Sequence, residues 1–265
     1  MGYRIKPPLP QINRGHPLAQ GLIAAYLHNQ DLNVTTGNNV TDLMRMYDGT
    51  LDKNWSMVDS PWGVAVKPSE AGSIDLDAAI ETRIEAAEEA TLIWILRRDE
   101  ATPASSADSG CTQIQSSGAS KSHYVFTDGK FYCATFRNDR ITITPSTNIA
   151  RDDWHMVVVT NRPGANGWKV YQVNDSFLEE ISSQTGEAPM FADKHTLYGG
   201  IGTEECDGDH VLTYIYERFF TPSMIAALWA DPFCFLRPVE PLWEWDVGPA
   251  VAAVDPRPQL MGALY

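Results

Sequence analysis

One acidic loop carries the residue types that a calcium ion prefers. Glu204, Glu205, Asp207 and Asp209 lie close together around the Asp-Gly dipeptide at 207–208. Calcium binds several hard oxygen ligands on a flexible loop. The loop is therefore a candidate calcium site formed by Glu205, Asp207 and Asp209, and a solvated acidic turn is the alternative. The sequence predicts no other cofactor.

Aromatic residues with polar neighbours form a second group of candidates. Sugar rings present apolar C–H faces that stack on aromatic rings, while their hydroxyl groups bind polar side chains. Strand aromatics more often fill a core, so burial is the alternative for each of these residues. The candidate glycan-binding residues are Trp55, Trp62, His123, Tyr124 and Tyr132.

Signatures of common enzyme mechanisms do not occur in the sequence. The segment 200–206 lacks the third glycine of a dinucleotide-binding loop. Neither a G-x-S-x-G nucleophile elbow nor a phosphate-binding loop is present, and the 6 histidines are scattered along the chain. We therefore predict no catalytic residues and expect that the protein is not an enzyme.

The charge balance limits the classes of partner. The 265 residues include 34 acidic and 20 basic side chains, which gives a net charge of −14. An acidic surface repels phosphate, so we expect no nucleic-acid partner. The longest apolar runs, 92–96 and 225–230, are too short to cross a bilayer, and membrane insertion is not expected. Residues 1–10 also lack the apolar segment of a secretion signal.

Alternating polar and apolar residues predict many short strands, among them 22–27, 91–97, 155–160 and 211–216. The strongest hairpin signal is Asp128-Gly129 between two aromatic-rich segments. One helix is predicted from Thr221, its N-cap, and Pro222 at its first position. Its apolar face would contain Met224, Ile225, Leu228 and Trp229. These features predict an all-β fold: an antiparallel jelly-roll β-sandwich with one short C-terminal helix and extended Pro-rich arms.

Proline concentrates at the two ends of the chain. Of 17 prolines, four lie in the first 17 residues and five lie between Pro238 and Pro258. Proline cannot donate to a strand ladder, so we predict an arm at 1–15, a jelly-roll domain at 16–236 and an extended tail at 237–265. The tail carries apolar residues suited to docking on a protein partner: Trp243, Trp245, Val251, Val254 and Leu260.

Several segments in order resemble laminin-G-like and concanavalin A-like lectin-glucanase domains, of the type found in phage and environmental bacterial proteins. They are 16–27, 40–43, 48–51, 153–160, 170–175 and pieces of 200–233, and the resemblance spans about residues 16–236. It implies a jelly roll in which Trp154 and Tyr216 fill the core. Glucanases of this fold carry E-x-D-x-x-E on one strand. Residues 244–246 (Glu-Trp-Asp) begin that pattern, but the final acid is missing.

Three function classes compete on these grounds. Lectin-like jelly rolls usually act outside cells, and a protein made in the host cytoplasm and released by lysis would need no signal peptide. We therefore predict a non-enzymatic phage structural protein on the virion surface, either a capsid decoration protein or an adsorption-fibre component. Its partners would be other virion or assembly proteins, bound through both arms, and a homo-oligomer and a host-surface glycan remain open. The alternatives are a free-standing carbohydrate-binding lectin module and a divergent glycoside hydrolase.

Overall fold

In the described residues, two large antiparallel β-sheets, a small two-stranded sheet and two short helices form the fold, and the predicted all-β class is confirmed. The computed structural model describes residues 10–28, 39–51, 55–68, 74–76, 78–97, 109–116, 119–125, 131–134, 140–143, 153–186, 194–197 and 208–238. For the strands within 109–143 and 194–197, the description concerns the backbone and its pairing.

The first half of the chain contains the strands β1 (Pro10–Ile12), β2 (Leu22–Leu27), β3 (Asn39–Val40), β4 (Gly49–Leu51), β5 (Trp55–Ser60), β6 (Gly63–Pro68), β7 (Ile74–Asp75), β8 (Ala90–Arg97), β9 (Ser109–Ser116), β10 (Ala119–Val125) and β11 (Phe131–Ala134). The second half contains β12 (Arg140–Ile143), β13 (Trp154–Asn161), β14 (Gly164–Val173), β15 (Leu178–Gly186), β16 (Lys194–Leu197), β17 (Asp209–Tyr216) and β18 (Leu236–Pro238). The helices are α1 (Ala78–Glu85) and α2 (Pro222–Ala230), and a 3-10 turn spans Pro17–Ala19.

One sheet has the strand order β15-β14-β13-β8-β17-β6-β5, and β2 also pairs with β17. The opposing sheet has the order β12-β11-β10-β9-β16-β7-β4-β3. The predicted hairpin is present, since β10 and β11 pair in register from His123↔Cys133 to Val125↔Phe131. Its turn, with Asp128-Gly129, lies outside the described residues.

The centre of the first sheet is buried on both faces. Strands β8, β13 and β17 are almost continuously buried, as their unbroken apolar sequences indicate. One face, with Trp94 of β8, belongs to a core that also includes Ile74 from the opposing sheet. The other face, with Ile93, packs against Leu228 of α2 and Phe235 from the segment after it. The first sheet is therefore packed on both faces, with α2 covering part of its outer face, and we refer to it as the platform.

Helix α2 begins at Pro222, as predicted, and buries Ile225 and Leu228. The Thr221 hydroxyl does not cap it; Thr221 Oγ1 lies 3.0 Å from Ser223 Oγ instead. Helix α1 adds a second helix to the single one predicted, and it buries Ile80 and Ile84 in the inter-sheet core. In the part of the chain that the structure describes, no helix is long and apolar enough to span a membrane.

The two ends of the described chain meet. Strand β1 pairs antiparallel with β18 through Pro10↔Pro238, Gln11↔Arg237 and Ile12↔Leu236. Residues 1–9 and 239–265 lie outside the described residues, so the predicted arms and domain boundaries remain predictions. The five tail residues predicted to dock on a partner lie there too: Trp243, Trp245, Val251, Val254 and Leu260.

Candidate functional site

A pocket of about 320 Å³ opens at one end of the first sheet. Four segments form it: the β5–β6 turn, the start of β13, the β14–β15 turn and the C-terminal half of α2. The described residues that line it are Pro61, Trp62, Asp153, Trp154, Asn174, Asp175, Ser176 and Trp229. We refer to this cavity as the tryptophan pocket.

Three indole rings form the apolar part of the tryptophan pocket. The Trp62 ring lies edge-on to Trp154, with centroids 5.7 Å apart and planes at 88°. It also lies edge-on to Trp229, again at 5.7 Å, with planes at 71°. Trp62 is only 7% exposed, whereas Trp154 and Trp229 are half-buried. The central ring therefore fixes two outer rings that keep surface open to solvent.

Two tight turns position the wall of the pocket. In the β5–β6 turn, Ser60 Oγ accepts a hydrogen bond from the Trp62 backbone N–H at 3.2 Å. In the β14–β15 turn, Asn174 Oδ1 accepts from the backbone N–H groups of Ser176 and Phe177 at 2.8 and 3.2 Å. Since Asn174 is engaged in its own turn, the exposed side chains of Asp175 and Ser176 are held at the rim.

An ion pair supports Trp154 from the neighbouring strand. Trp154 and Arg97 are cross-strand partners, and so are Arg97 and Asp209. The Arg97 guanidinium lies 5.0 Å from the centroid of the Trp154 ring. Its Nε donates to Asp209 Oδ2 at 2.9 Å. Asp209 thus holds Arg97 against Trp154, which restricts the orientation of the indole.

The chemistry of the pocket combines aromatic surface with acidic and neutral hydrogen-bonding groups. The carboxylates of Asp153 and Asp175 are exposed to solvent at its rim. Aromatic walls with a few placed polar groups are typical of sites for small organic ligands. Carboxylates and a serine hydroxyl accept hydrogen bonds from ligand hydroxyls, and the indole faces contact apolar C–H groups.

The structure brings one of the five predicted glycan-binding residues to this pocket, Trp62. Trp55 lies in the inter-sheet core, 5% exposed and 6.0 Å from the ring of His28. The backbone of His123 and Tyr124 lies in β10 and that of Tyr132 lies in β11, opposite Tyr124. The side chains of these three residues lie outside what the structure describes.

The predicted calcium ligands divide between described and undescribed residues. Asp209 is buried in β17 and its carboxylate is paired with Arg97. Glu204, Glu205 and Asp207 lie outside the described residues, so the calcium site remains a prediction. Among the residues that the structure does describe, no group of three or more His, Cys, Asp or Glu side chains could hold a metal ion.

Two residues of the tryptophan pocket were predicted to have other roles. Trp154 was expected in the core, but it is the first residue of β13 and therefore stands where the sheet ends. Trp229 was placed on the apolar face of α2, yet it lies at the edge of that face and is half-buried. The polar residues beside Trp154 and after β14, Asp153 and Asn174 to Ser176, were the signal that these strand ends face solvent.

Comparison with solved structures finds similar folds in carbohydrate-active proteins. Trypanosoma rangeli sialidase in complex with 2,3-difluorosialic acid has a TM-score of 0.60 and 14% identity, covering 83% of this chain. The chain spans only 34% of that sialidase. Domain 4 of AbnA, a GH43 extracellular arabinanase from Geobacillus stearothermophilus in complex with arabinotriose, has a TM-score of 0.56 and 14% identity. That comparison covers 78% of this chain and 97% of the arabinanase domain.

A third structure with a similar fold is described as a receptor binding domain, with a TM-score of 0.55 and 10% identity, covering 79% of this chain and 50% of that chain. No protein-family model matches the sequence, and no curated protein does. The shared feature is therefore a β-sheet fold found in carbohydrate-active domains. Membership of the laminin-G-like family is not shown.

These comparisons overturn two expectations. The prediction of a phage virion surface protein is wrong, because the sialidase and arabinanase structures belong to glycoside hydrolases. The expectation that the protein is not an enzyme is contradicted by the same comparisons, which suggest enzymatic relatives. The first expectation relied on a resemblance and on a missing secretion signal, and the second relied on missing motifs. None of these observations describes the surface that the fold presents.

Proposed function

We propose that this protein is a carbohydrate-binding domain and that it binds glycans in the tryptophan pocket. The observation that carries the proposal is the arrangement of Trp62, Trp154 and Trp229 beside the polar rim. Trp154 and Trp229 offer part of their ring surface to solvent, and a sugar face can stack on either one. Asp153 and Asp175 lie close enough to line the same cavity, where sugar hydroxyls can donate to them.

The pocket has a size and stiffness that suit this role. Its volume of about 320 Å³ lies at the lower end of the range for small-molecule sites. The outer rings are fixed by Trp62 on one side, and Trp154 is also held by the Arg97–Asp209 pair. A site that is ordered before the ligand arrives loses less conformational entropy on binding. The similarity to an arabinanase domain solved with arabinotriose supports a glycan ligand.

We expect Trp154→Ala and Trp229→Ala each to lower glycan affinity by about tenfold or more, since each removes a stacking surface near the centre of the site. The measurement is titration calorimetry with ligands chosen from an oligosaccharide panel that includes arabinotriose. Met57→Ala, at an exposed position of β5, is the control and should bind like the wild type. Circular dichroism of each variant separates lost binding from lost folding. If Trp154→Ala and Trp229→Ala bound glycan as tightly as the control and the wild type, the tryptophan pocket would be excluded as the site.

A second candidate function, glycoside hydrolysis, is favoured by one observation. Asp153 and Asp175 both line the tryptophan pocket. Hydrolysis of a glycosidic bond normally uses two carboxylic acids on either side of it, one as a general acid and the other as a base or nucleophile. The similarity to a sialidase and an arabinanase is in keeping with this function.

For this second candidate, we expect release of reducing sugar from at least one polysaccharide of a broad panel. Asp153→Asn and Asp175→Asn should each lower the rate by about a hundredfold or more, because each removes an acid–base group. Asp59→Asn, which changes an exposed carboxylate in β5, should leave the rate unchanged. Glycan binding without any sugar release would restrict the protein to the binding function.

A further inference from the structure

The charges around the tryptophan pocket are of one sign. Among the described residues that line it, Asp153 and Asp175 are acidic and none is basic. Both carboxylates are exposed at the rim, where an entering ligand passes them. The net charge of −14 adds a repulsive background for any anion.

Arg97 does not reverse this charge pattern. Its guanidinium faces the Trp154 ring at 5.0 Å, and it is not among the residues that line the pocket. Its Nε and terminal nitrogen both donate to Asp209 Oδ2. The positive charge is therefore balanced by the buried Asp209 carboxylate and is separated from the cavity by the Trp154 ring.

We infer that the tryptophan pocket selects uncharged saccharides and excludes acidic ones, such as those carrying sialic or uronic acids. This inference rests on the proposed glycan-binding function. Hydroxyl groups of a neutral sugar donate to Asp153 and Asp175, so the carboxylates are useful partners for it. A sugar carboxylate has no proton to donate at neutral pH and would bring a third negative charge to the rim.

The size of this discrimination follows from Coulomb's law. Like charges repel even in bulk water, and the repulsion grows where the protein displaces water. Two rim carboxylates should therefore weaken binding of an acidic saccharide by about tenfold relative to its neutral counterpart. Salt screens this repulsion, because the Debye length falls from about 30 Å at 0.01 M to about 3 Å at 1 M.

The test compares neutral oligosaccharides with acidic counterparts that carry one or more carboxylates. Suitable pairs are lactose with sialyllactose, galactotriose with trigalacturonic acid, and xylotriose with its glucuronosyl derivative; arabinotriose serves as a further neutral ligand. We expect the neutral member to bind about tenfold more tightly at low salt, and the difference to shrink at about 1 M salt. In the double variant Asp153→Asn/Asp175→Asn, the preference for the neutral ligand should also shrink. The control variant Asp59→Asn should keep this preference.

The outcomes separate the two proposals. Equal or tighter binding of the acidic members at low salt overturns the charge selection and leaves glycan binding intact. A neutral preference that is unchanged by salt and by the double variant also overturns it, because the exclusion would then be steric. If none of these saccharides binds, the proposed function itself is wrong, and the selection inferred from it is wrong too.

Discussion

Replacing Asp42 by alanine is expected to lower the free energy of unfolding by about 4 kcal/mol, because four backbone donors would lose their acceptor. Asp42 Oδ1 accepts from the N–H groups of Ala25 and Met44 at 2.8 and 3.0 Å. Its Oδ2 accepts from those of Met46 and Tyr47, both at 3.2 Å. The side chain is fully buried, so water cannot replace it without opening the loop.

This carboxylate organises a segment without regular secondary structure. Residues 43–48 contain no strand or helix, and Arg45 adopts a positive φ of 55°, which is uncommon outside glycine. Besides Asp42, the loop is connected to the first sheet by the Leu43 N–H, which donates to the Ala25 carbonyl at 2.9 Å, and by the Tyr26 hydroxyl, which donates to the Tyr47 carbonyl. Burial raises the pKa of Asp42, and the four N–H donors only partly offset this effect.

Urea unfolding of three variants tests this role. Asp42→Asn keeps one acceptor oxygen but directs an amide donor toward backbone donors, so it should lose about half as much stability as Asp42→Ala. Asp48→Ala is the matched control: the exposed Asp48 accepts one hydrogen bond, from the Asp42 N–H at 2.9 Å, and we expect a loss below about 1 kcal/mol. A loss below about 1 kcal/mol for Asp42→Ala would show that other contacts hold the loop.

The strands of the platform were predictable because burial on both faces requires continuous apolar sequence. The predicted strand 22–27 matches β2, and the prediction 91–97 differs from β8 by one residue. The two-residue strand β3 of the second sheet was not predicted, because it is defined by its pairing with β4. Local sequence patterns contain little information about such pairing.

The site was less predictable than the fold, because it depends on where the strands end. A tryptophan at the start of a strand has the same local signature as one in its middle, and Trp154 was therefore assigned to the core. Its exposure depends on the distant segments around it, namely the β5–β6 turn and α2. Trp62 was identified as a candidate from its residue type, but its two partners were identified only once the fold brought them together.

The choice among function classes could not be made from motifs. The virion interpretation relied on a resemblance and on a missing secretion signal, neither of which describes a binding surface. The pocket supplies that surface: its rings come from three separate parts of the chain, and its rim comes from Asp153 and the β14–β15 turn.

A loss of stability in mild acid is expected from His210, which lies in β17 and is 1% exposed. Burial, together with the charge of nearby His155, lowers the pKa of His210 from 6.5 to about 3. In the unfolded chain the pKa returns to about 6.5, so between these two values the unfolded state binds more protons than the folded state. The stability contributed by neutral His210 is therefore fully present above pH 6.5 and is lost as the pH falls toward 3.

Over this range, the free energy of unfolding should fall by about 1.4 kcal/mol for each pH unit from His210 alone, or by about 5 kcal/mol in total. His210→Phe replaces the imidazole with a ring that cannot be protonated. The stability of this variant at neutral pH can differ from that of the wild type because the packing changes. Between about pH 6 and 4, however, its free energy of unfolding should change less steeply with pH than that of the wild type, by roughly 1.4 kcal/mol per pH unit. The measurement is urea unfolding at half-unit steps of pH.

His16→Asn is the control for this experiment, because His16 is only partly buried and its Nδ1 accepts the Leu18 N–H at 3.2 Å, a bond that asparagine can replace. A change of slope that appears in His210→Phe but not in this variant assigns the acid sensitivity to His210. Other groups that titrate over this pH range are present in all three proteins and cancel in the comparison. Suppose that the free energy of unfolding of His210→Phe fell with pH as steeply as that of the wild type. His210 would then be able to take up a proton in the folded state, and its side chain would have to reach water.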